Sequence, residues 1–265
     1  MPPASFSAAR ALEHLRALAR RAAEPRPHSD PADPLGLRAA LAATGAAPLE
    51  DAPPGAALGA RVRGREPGPP WLLCSPCTLP SRPHDPPWRP NAHGSGPALL
   101  LTLLECMVAA APARDVLCVL FAGGAGPAEA GTEAETWAEA LSDASAAGEP
   151  PPLQGVLAVW QVAAPGAALD LDLRSLGHPG ARAIAHELFT LGRALGHTAF
   201  ARGIQTAFPG LHVPFLERGL PAVPLCASTD LLAGSDDDRL EHCSAESLGG
   251  IGDTLLRFLR GERLV

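Results

Sequence analysis

Apolar residues recur along the chain with two different periods, and the change of period marks the structural elements. Over residues 5–23 they return about every 3.6 positions, which predicts an amphipathic helix. The unbroken apolar run VLCVLF at 116–121 is typical of a strand buried on both faces. Residues 169–173 alternate apolar and acidic, which predicts a strand with Asp170 and Asp172 on its solvent side.

The same reasoning along the chain gives helices and strands that alternate. The predicted helices cover residues 5–23, 33–45, 99–111, 133–147, 179–195 and 244–260, and the predicted strands cover residues 57–62, 71–74, 116–121, 155–163, 169–173 and 221–226. Two loops separate them, a Pro-, Ser- and His-rich one at 75–97 and a Gly/Ala one at 123–131. Alternation of this kind predicts an α/β fold with a mostly parallel sheet covered on both faces. No repeat or linker divides the chain, so we expect one domain over residues 1–265.

Composition excludes several classes of protein. The chain is 46% hydrophobic and 18% charged, which is typical of a globular protein. Its net charge of −7 and its scattered arginines argue against a nucleic-acid partner. No stretch has the roughly 18 uncharged apolar residues of a membrane span, and the N-terminus lacks a signal-peptide pattern. We therefore expect a soluble, cytoplasmic protein whose six cysteines are free thiols.

Three stretches, in order along the chain, resemble one family. Residues 72–78 (LLCSPCT) with 91–105 (NAHGSGPALLLTLLE) are similar to a strand carrying His-x-Asp, followed by Asp-Asn-x-Ser-Gly at the start of a helix. Residues 114–126 (RDVLCVLFAGGAG) resemble a strand that ends in Phe-Asp-Gly-Glu-Glu-x-Gly. Residues 211–225 (LHVPFLERGLPAVPL) resemble Asp-His-x-Pro-Phe-x-x-x-Gly-x-Pro, the most specific of the three. The chain is thereby identified as a relative of the zinc-dependent aminopeptidases and glutaminyl cyclases, which share their fold with the transferrin receptor and nicastrin.

That resemblance implies a three-layer α/β/α sandwich with a mixed, mostly parallel central sheet. It also implies one or two zinc ions at the carboxyl ends of the strands, held by carboxylates and imidazoles. This chain departs from the family at every such position; even the Asp of the Phe-Asp-Gly turn is Ala122, and His93 replaces the Asn beside the bridging Asp. The family's zinc ligands and neighbouring carboxylates fall at Ser75, Cys77, Ala92, Gly124, Ala125, Ala163, Gly234 and Leu211. Because Ala and Gly offer no side-chain ligand, we expect a pseudoenzyme with no cofactor.

Two functional hypotheses follow. The first is a binding or scaffolding protein. Its unknown protein or peptide partner, or an amine ligand, would lie in the cleft that corresponds to the family's zinc site. Its predicted lining is Ser75, His84, His93, Gly124, His212 and Phe215. The second is an enzyme of the aminopeptidase or glutaminyl-cyclase type that uses a non-standard site. It would be metal-free, through Cys77 or His212, or would hold zinc on His84, Asp85 and His93.

Other short patterns favour structural explanations. Cys74 and Cys77 form a C-x-x-C at a strand end rather than at a helix N-terminus, so nothing lowers a thiol pKa. The Gly94-Ser95-Gly96 turn before an apolar helix is predicted to allow close packing, with anion binding as the alternative. His186-Glu187 lacks the second His of a metalloprotease helix, and Asp236-Asp237-Asp238 is interpreted as a capping or solvated turn.

Overall fold

The computed structural model places a six-stranded mixed sheet between two layers of helices. It describes residues 5–24, 33, 35–50, 58–77, 88–121, 127–146, 153–201, 203–228, 230 and 232–262, and the side chains of 127–130, 144–146 and 204–206 are not included. The helices are α1 (Ala8–Ala23), α2 (Leu37–Ala43), α3 (Ser95–Ala109), α4 (Pro127–Ala146), α5 (Leu173–Gly177), α6 (Pro179–Ala194), α7 (Val213–Glu217) and α8 (Ala245–Leu259). The strands are β1 (Ala47–Pro48), β2 (Leu58–Val62), β3 (Trp71–Pro76), β4 (Val116–Phe121), β5 (Gly155–Val159), β6 (Asp170–Asp172), β7 (Ile204–Thr206) and β8 (Ala222–Leu225).

The strand order in the main sheet is β1-β2-β4-β3-β5-β8. Strands β4, β3, β5 and β8 run parallel to one another, while β1 and β2 are antiparallel to their neighbours. Parallel β6 and β7 form a separate two-stranded sheet. The predicted α/β fold with a mixed, mostly parallel sheet is thus confirmed.

Apolar side chains fill both faces of the sheet. One core unites α1, α3, α6 and α8 with the sheet, and a second core lies under α4 and α7. Strand β3 is buried along its whole length, as expected of a parallel strand covered by helices on both sides. Gly249, a glycine within α8, is explained by packing. A Cβ there would lie 2.9 Å from Ala8 Cβ, so the glycine lets α1 and α8 approach closely.

Three helices begin at positions that the sequence pattern did not give. Helix α3 is preceded by a turn of π-helix, Pro90–Gly94, so the helical stretch starts well before residue 99. Helix α4 begins at Pro127 rather than at 133. Helix α2 begins at Leu37, because the Asp33 carboxylate accepts hydrogen bonds from the amides of Leu37 and Arg38 and caps it.

Two strand predictions were wrong in detail. Strand β5 ends at Val159 rather than at residue 163, because Gln161 adopts a left-handed conformation with φ 53° that extended pairing does not allow. Asp170 and Asp172 on β6 are buried, with 1% and 2% exposure, instead of facing solvent. Both carboxylates accept hydrogen bonds from neighbouring backbone amides, which offsets the cost of burying them.

The apolar helical stretch through α3 has the length of a membrane span. Residues Pro90–Ala109 satisfy the length and composition of a spanning helix, the single such case in the described chain. However, 72% of its 18-residue apolar window is buried inside the protein. Its apolar character is accounted for by its place in the core beneath the sheet.

Candidate binding site at the carboxyl edge of the sheet

The carboxyl ends of β3, β5 and β8 lie side by side at one edge of the sheet. Strand β4 follows β3 in the chain and pairs on one side of it, whereas β5 pairs on the other side. This change of direction between β3 and β5 is the topological switch point, outside which α/β proteins bind their ligands. The residues that follow β3 and β5 are therefore the first to consider as a site.

Close packing fills the space directly between these two strand ends. Gly96, in the first turn of α3, sits against both of them. A Cβ at this position would lie 2.2 Å from Ser75 Oγ and 2.3 Å from the carbonyl oxygen of Val159. The prediction that the Gly94–Gly96 turn serves close approach is confirmed at Gly96. The helix already begins at Pro90, so the turn is not the free helix end that its anion-binding alternative required.

The residues at the end of β3 face the interior. Ser75 is fully buried, and its hydroxyl donates to the carbonyl of Pro76. Cys77 is 2% exposed, and burial, aided by the negative charge of Asp33, raises its thiol pKa to about 12. Burial likewise raises the pKa of the Cys74 thiol. Both thiols are free and stay protonated at neutral pH, as the structural interpretation of the C-x-x-C predicted.

A carboxylate clamp holds the start of the helical stretch against the loop that follows β8. Asp238 is 3% exposed and accepts hydrogen bonds from the amides of Asn91 at 2.8 Å, Ala92 at 2.9 Å and Gly234 at 3.0 Å. The Asn91 side chain adds two bonds, donating to Asp230 and accepting from the amide of Ala163. The side chains of Asp238 and Asn91 thus hold together the backbone amides of Ala92, Ala163 and Gly234, three positions at which the resemblance places metal ligands.

His93 lies in the same π-turn. Its Nδ1 accepts a hydrogen bond from the amide of Arg89 at 2.8 Å, and its ring packs against Trp88. Burial lowers the pKa of His93, and the Arg89 charge acts in the same direction against the opposing effect of Asp238. The ring is therefore neutral at physiological pH. His84 and Gly124, predicted with His93 to line the cleft, lie outside the described residues, and so does Asp85, predicted as a possible zinc ligand.

His212 forms a buried pair with Asp172. The Nε2 of His212 lies 3.2 Å from Asp172 Oδ2, and both side chains are wholly inaccessible to solvent. Trp160 stacks on the imidazole at 6.1 Å between ring centroids, and Phe208 contacts it from another side. Burial works to raise the pKa of Asp172, but contacts from His212 and from the Ser175 amide outweigh it and lower that pKa.

Phe215, the other predicted cleft residue from the third stretch, is also fully buried. It lies in the core beneath α4. Four of the predicted site residues are therefore buried inside the edge of the sheet, and none of them is open to a ligand. They are Ser75, Cys77, His212 and Phe215. Their role in binding stays a prediction.

The end of β5 presents two side chains that the sequence did not single out. Trp160 and Gln161 follow the last residue of β5 directly, and both are partly exposed. The buried thiol of Cys226, just beyond β8, contacts both: its sulfur lies 3.5 Å from Gln161 Oε1 and is hydrogen-bonded by the Trp160 side chain. The end of β5 could have indicated these two residues. However, the hydrophobic pattern predicted that the strand ends at residue 163, four residues too late.

The residues in place do not fit a zinc ion of the family type. Within the described residues no three His, Cys, Asp or Glu side chains are grouped so that they could hold a metal. The described positions that the resemblance assigns to ligands carry Ser, Cys, Ala, Gly or Leu. A relocated site on His84, Asp85 and His93 stays a prediction, since two of these residues lie outside the described chain.

Comparison with known proteins finds no matching family profile and no matching curated protein. Solved structures match almost end to end. A glutaminyl cyclase from an Acidobacteriales bacterium gives a TM-score of 0.77 at 19% identity, covering 99% of this chain and 97% of its own. The glutaminyl cyclase of Fimbriiglobus ruber gives 0.75 at 19%, covering 98% and 97%. A Zn-dependent exopeptidase from Parabacteroides distasonis gives 0.69 at 16%, covering 97% and 99%. The chain has the fold of glutaminyl cyclases and Zn-dependent exopeptidases.

Proposed function

We propose that this chain is a pseudoenzyme, a binding protein that keeps the glutaminyl-cyclase and exopeptidase fold without its zinc chemistry. The observation that carries the proposal is the Asp238 clamp. Two of the three amides that it binds belong to Ala92 and Gly234, and Asn91 ties in Ala163. At three positions where the resemblance places metal-binding side chains, this chain has small residues whose backbone amides donate to Asp238 or Asn91. The ligand in this proposal is a peptide terminus or a small amine.

The remaining candidate nucleophile and base support the same proposal. Cys77 is buried with a thiol pKa of about 12, so its reactive thiolate is scarce at neutral pH. His212 has no exposed surface from which to reach a substrate. Catalysis by Cys77 or His212 would require the buried residues at the carboxyl edge of the sheet to rearrange.

Turnover measurements test the proposal. The purified chain, supplemented with zinc, is assayed against aminoacyl amides and peptides with N-terminal glutamine, beside one of the structurally similar glutaminyl cyclases prepared in the same way. We expect product from the reference enzyme and none above background from this chain. Turnover that a chelator abolishes would establish the alternative, an aminopeptidase or cyclase with non-standard ligands. Turnover that resists the chelator would point to metal-free chemistry.

Substitution of His212 or Phe215 is a poor test of the binding site. Both side chains are fully buried, so their removal would lower binding by disturbing the fold. A partly exposed residue is needed to separate recognition from folding.

A further inference from the structure

Five arginines from three separate stretches of the chain gather at the amino edge of the main sheet, where β3 and β4 begin. This edge is opposite the carboxyl ends of the parallel strands. Strand β2 supplies the first arginine, the loop after it supplies two, the segment before β4 supplies one, and the residue after α8 supplies the last. We call them the amino-edge patch: Arg61, Arg63, Arg65, Arg114 and Arg260.

Backbone pairing brings the three stretches together. Strand β2 runs antiparallel to β4, so the residues that follow β2 lie beside those that precede β4. The amide of Arg65 donates to the carbonyl of Pro112 at 3.0 Å, and the amide of Ala113 donates to that of Leu259 at the end of α8. The Arg65 side chain donates from Nη2 to the Arg260 carbonyl at 2.9 Å. Hydrogen bonds of the folded chain therefore set the positions of these arginines.

Asp115 shows that the patch can hold a carboxylate. It accepts hydrogen bonds from the amide of Gly64 at 2.7 Å and from Arg61 Nε at 3.0 Å. Burial acts to raise the pKa of Asp115, but these hydrogen bonds and the charges of Arg61 and Arg63 lower it. Asp115 is thus ionised at neutral pH, and two guanidinium groups act on this one carboxylate.

The patch carries more positive charge than its own carboxylates neutralise. Besides Asp115, the described residues within it include Glu66, which lies 3.6 Å from Arg114. Glu262 is close in sequence to the end of α8, but it is paired with Arg257, which is not part of the patch. Five guanidinium groups and two carboxylates leave an excess of three positive charges among the described residues, in a chain whose net charge is −7.

The arginines of the patch are accessible and partly held in place. Arg63 and Arg65 are exposed, and no described residue forms an ion pair or a side-chain hydrogen bond with Arg63. The side chains of Arg61 and Arg114 are 47% and 33% exposed. A Cβ at Gly68 would lie 2.9 Å from Arg114 Nη1, so the glycine leaves room for that guanidinium group. A ligand at the surface can therefore contact four of the five guanidinium groups.

An acidic peptide segment fits this surface better than a nucleic acid does. A guanidinium group binds carboxylates and phosphates alike through its planar set of donors. However, the chain outside the patch is acidic, and it repels a polyanion long enough to extend beyond the patch. A short run of Asp or Glu meets only the patch, and the pairing of Arg61 with Asp115 shows that a carboxylate suits it.

We propose that the amino-edge patch docks an acidic segment of a partner protein, whose carboxylates pair with Arg63, Arg65 and the neighbouring guanidinium groups. This inference goes beyond the proposed function, because the patch lies at the other edge of the sheet from the cleft that corresponds to the family's zinc site. Turnover, zinc content and the ligand of that cleft therefore neither support nor contradict it.

Fluorescence anisotropy with a labelled peptide of six consecutive glutamates tests the proposal at about 50 mM salt, where surface charges are weakly screened. A peptide of six glutamines and a thymidine oligonucleotide with six phosphates are the matched probes. We expect the glutamate peptide to bind with saturation and to lose affinity at about 300 mM salt. The glutamine peptide should bind at least about tenfold more weakly and the oligonucleotide at least about threefold more weakly.

Charge reversal locates the binding surface. Arg63→Glu changes an exposed side chain that no described residue binds, so we expect normal folding and about three- to fivefold weaker binding of the glutamate peptide. Adding Arg65→Glu should extend the loss to about tenfold. The matched control, Arg174→Glu with Arg182→Glu, makes the same change in net charge on exposed arginines of α5 and α6, which pack against β8 and not β2. It should bind within about twofold of the wild type, and thermal unfolding checks that each variant is folded.

Four results would overturn the assignment. The first is that the wild-type chain shows no saturable binding of the glutamate peptide. The second is that the Arg63→Glu, Arg65→Glu variant binds the peptide no more weakly than the control variant does. The third is that the oligonucleotide binds as tightly as the peptide, which would make the partner a phosphate polyanion. The fourth is that the chain self-associates at low salt and Arg63→Glu abolishes this, which would make the occupant a second copy.

Discussion

At the scale of single residues, Gly96 shows how closely α3 approaches the strand ends. Its position leaves no room for a side chain between Ser75 Oγ and the carbonyl of Val159. Neither of these neighbours moves easily, because one is a backbone atom and the other lies on a fully buried strand residue. The sequence indicated a close approach here through its paired glycines, but not which atoms they meet.

Replacing Gly96 with alanine should therefore destabilise the protein. We expect Gly96→Ala to lower the free energy of unfolding by about 1–3 kcal/mol, the usual cost of overpacking. Gly131→Ala in α4 is the matched control. Nothing lies within 4 Å of a Cβ at that position, and alanine is the better helix former by about 1 kcal/mol. Urea unfolding of both variants provides the measurement, and equal stabilities would contradict the packing described here.

The buried pair of His212 and Asp172 makes stability depend on pH. The pKa of Asp172 in the folded chain lies below the ordinary value of 3.8. The unfolded chain therefore takes up the proton first as the pH falls. The stabilisation is complete above about pH 5 and is lost as the pH falls through 3.8 towards the folded pKa.

Asp172→Asn isolates this contribution, because the other carboxylates remain. We expect the variant to be less stable at neutral pH by about 1.5–3 kcal/mol, the range for hydrogen bonds to a charged group. Its unfolding midpoint should also change less than that of the wild type between pH 6 and pH 3. Urea titrations across this range test both statements. Parallel curves for the two proteins would exclude Asp172 as a source of the pH dependence.

Asp172 and Asp170 also show a limit of sequence patterns. Alternation of apolar and acidic residues is the ordinary signature of a half-exposed strand. Here β6 belongs to a small second sheet that packs near β8, and a backbone amide donates a hydrogen bond to each of its two carboxylates. The amides come from neighbouring turns and, for Asp170, from a residue 58 positions along the chain, which the local pattern cannot reveal.

At the scale of elements, the start of the α3 helical stretch is set from far away in the sequence. The cap that Asp238 provides to Asn91 and Ala92 comes from a residue 147 positions after the first and 146 after the second. Local signals therefore placed the helix start too late, although they predicted its apolar body correctly. The buried strands β3, β4 and β8 were predicted well because each is a short, continuous apolar run.

Removing the Asp238 carboxylate should loosen both segments that it joins. Asp238→Ala leaves three amides without their acceptor. We expect a loss of at least about 2 kcal/mol in the free energy of unfolding, given about 1–3 kcal/mol for each buried group left unsatisfied. Hydrogen exchange should become faster at Asn91, Ala92 and Gly234. Asp237→Ala, at an exposed neighbour, is the control, and equal exchange in both variants would refute the clamp.

At the scale of the whole molecule, the order of three motifs along the chain was enough to predict the fold. Glycines, prolines and apolar strands shape the backbone, and a similar backbone is found at 19% identity to glutaminyl cyclases. The side-chain contacts at the carboxyl edge of the sheet were harder to predict from the sequence. Trp160 and Gln161 belong to no motif of the resemblance, and the contacts of Asp238 arise only when distant segments meet.

The central claim is that the fold persists while the capacity for zinc is gone, and the zinc content of the purified chain tests it most directly. The protein is expressed with added zinc, passed over a desalting column and analysed by mass spectrometry for metal per chain, with a structurally similar glutaminyl cyclase processed in parallel. We predict well under one-tenth of a zinc ion per chain, as expected where the described residues hold no cluster of ligands. One zinc ion per chain, retained through desalting and removed by a chelator, would contradict the account.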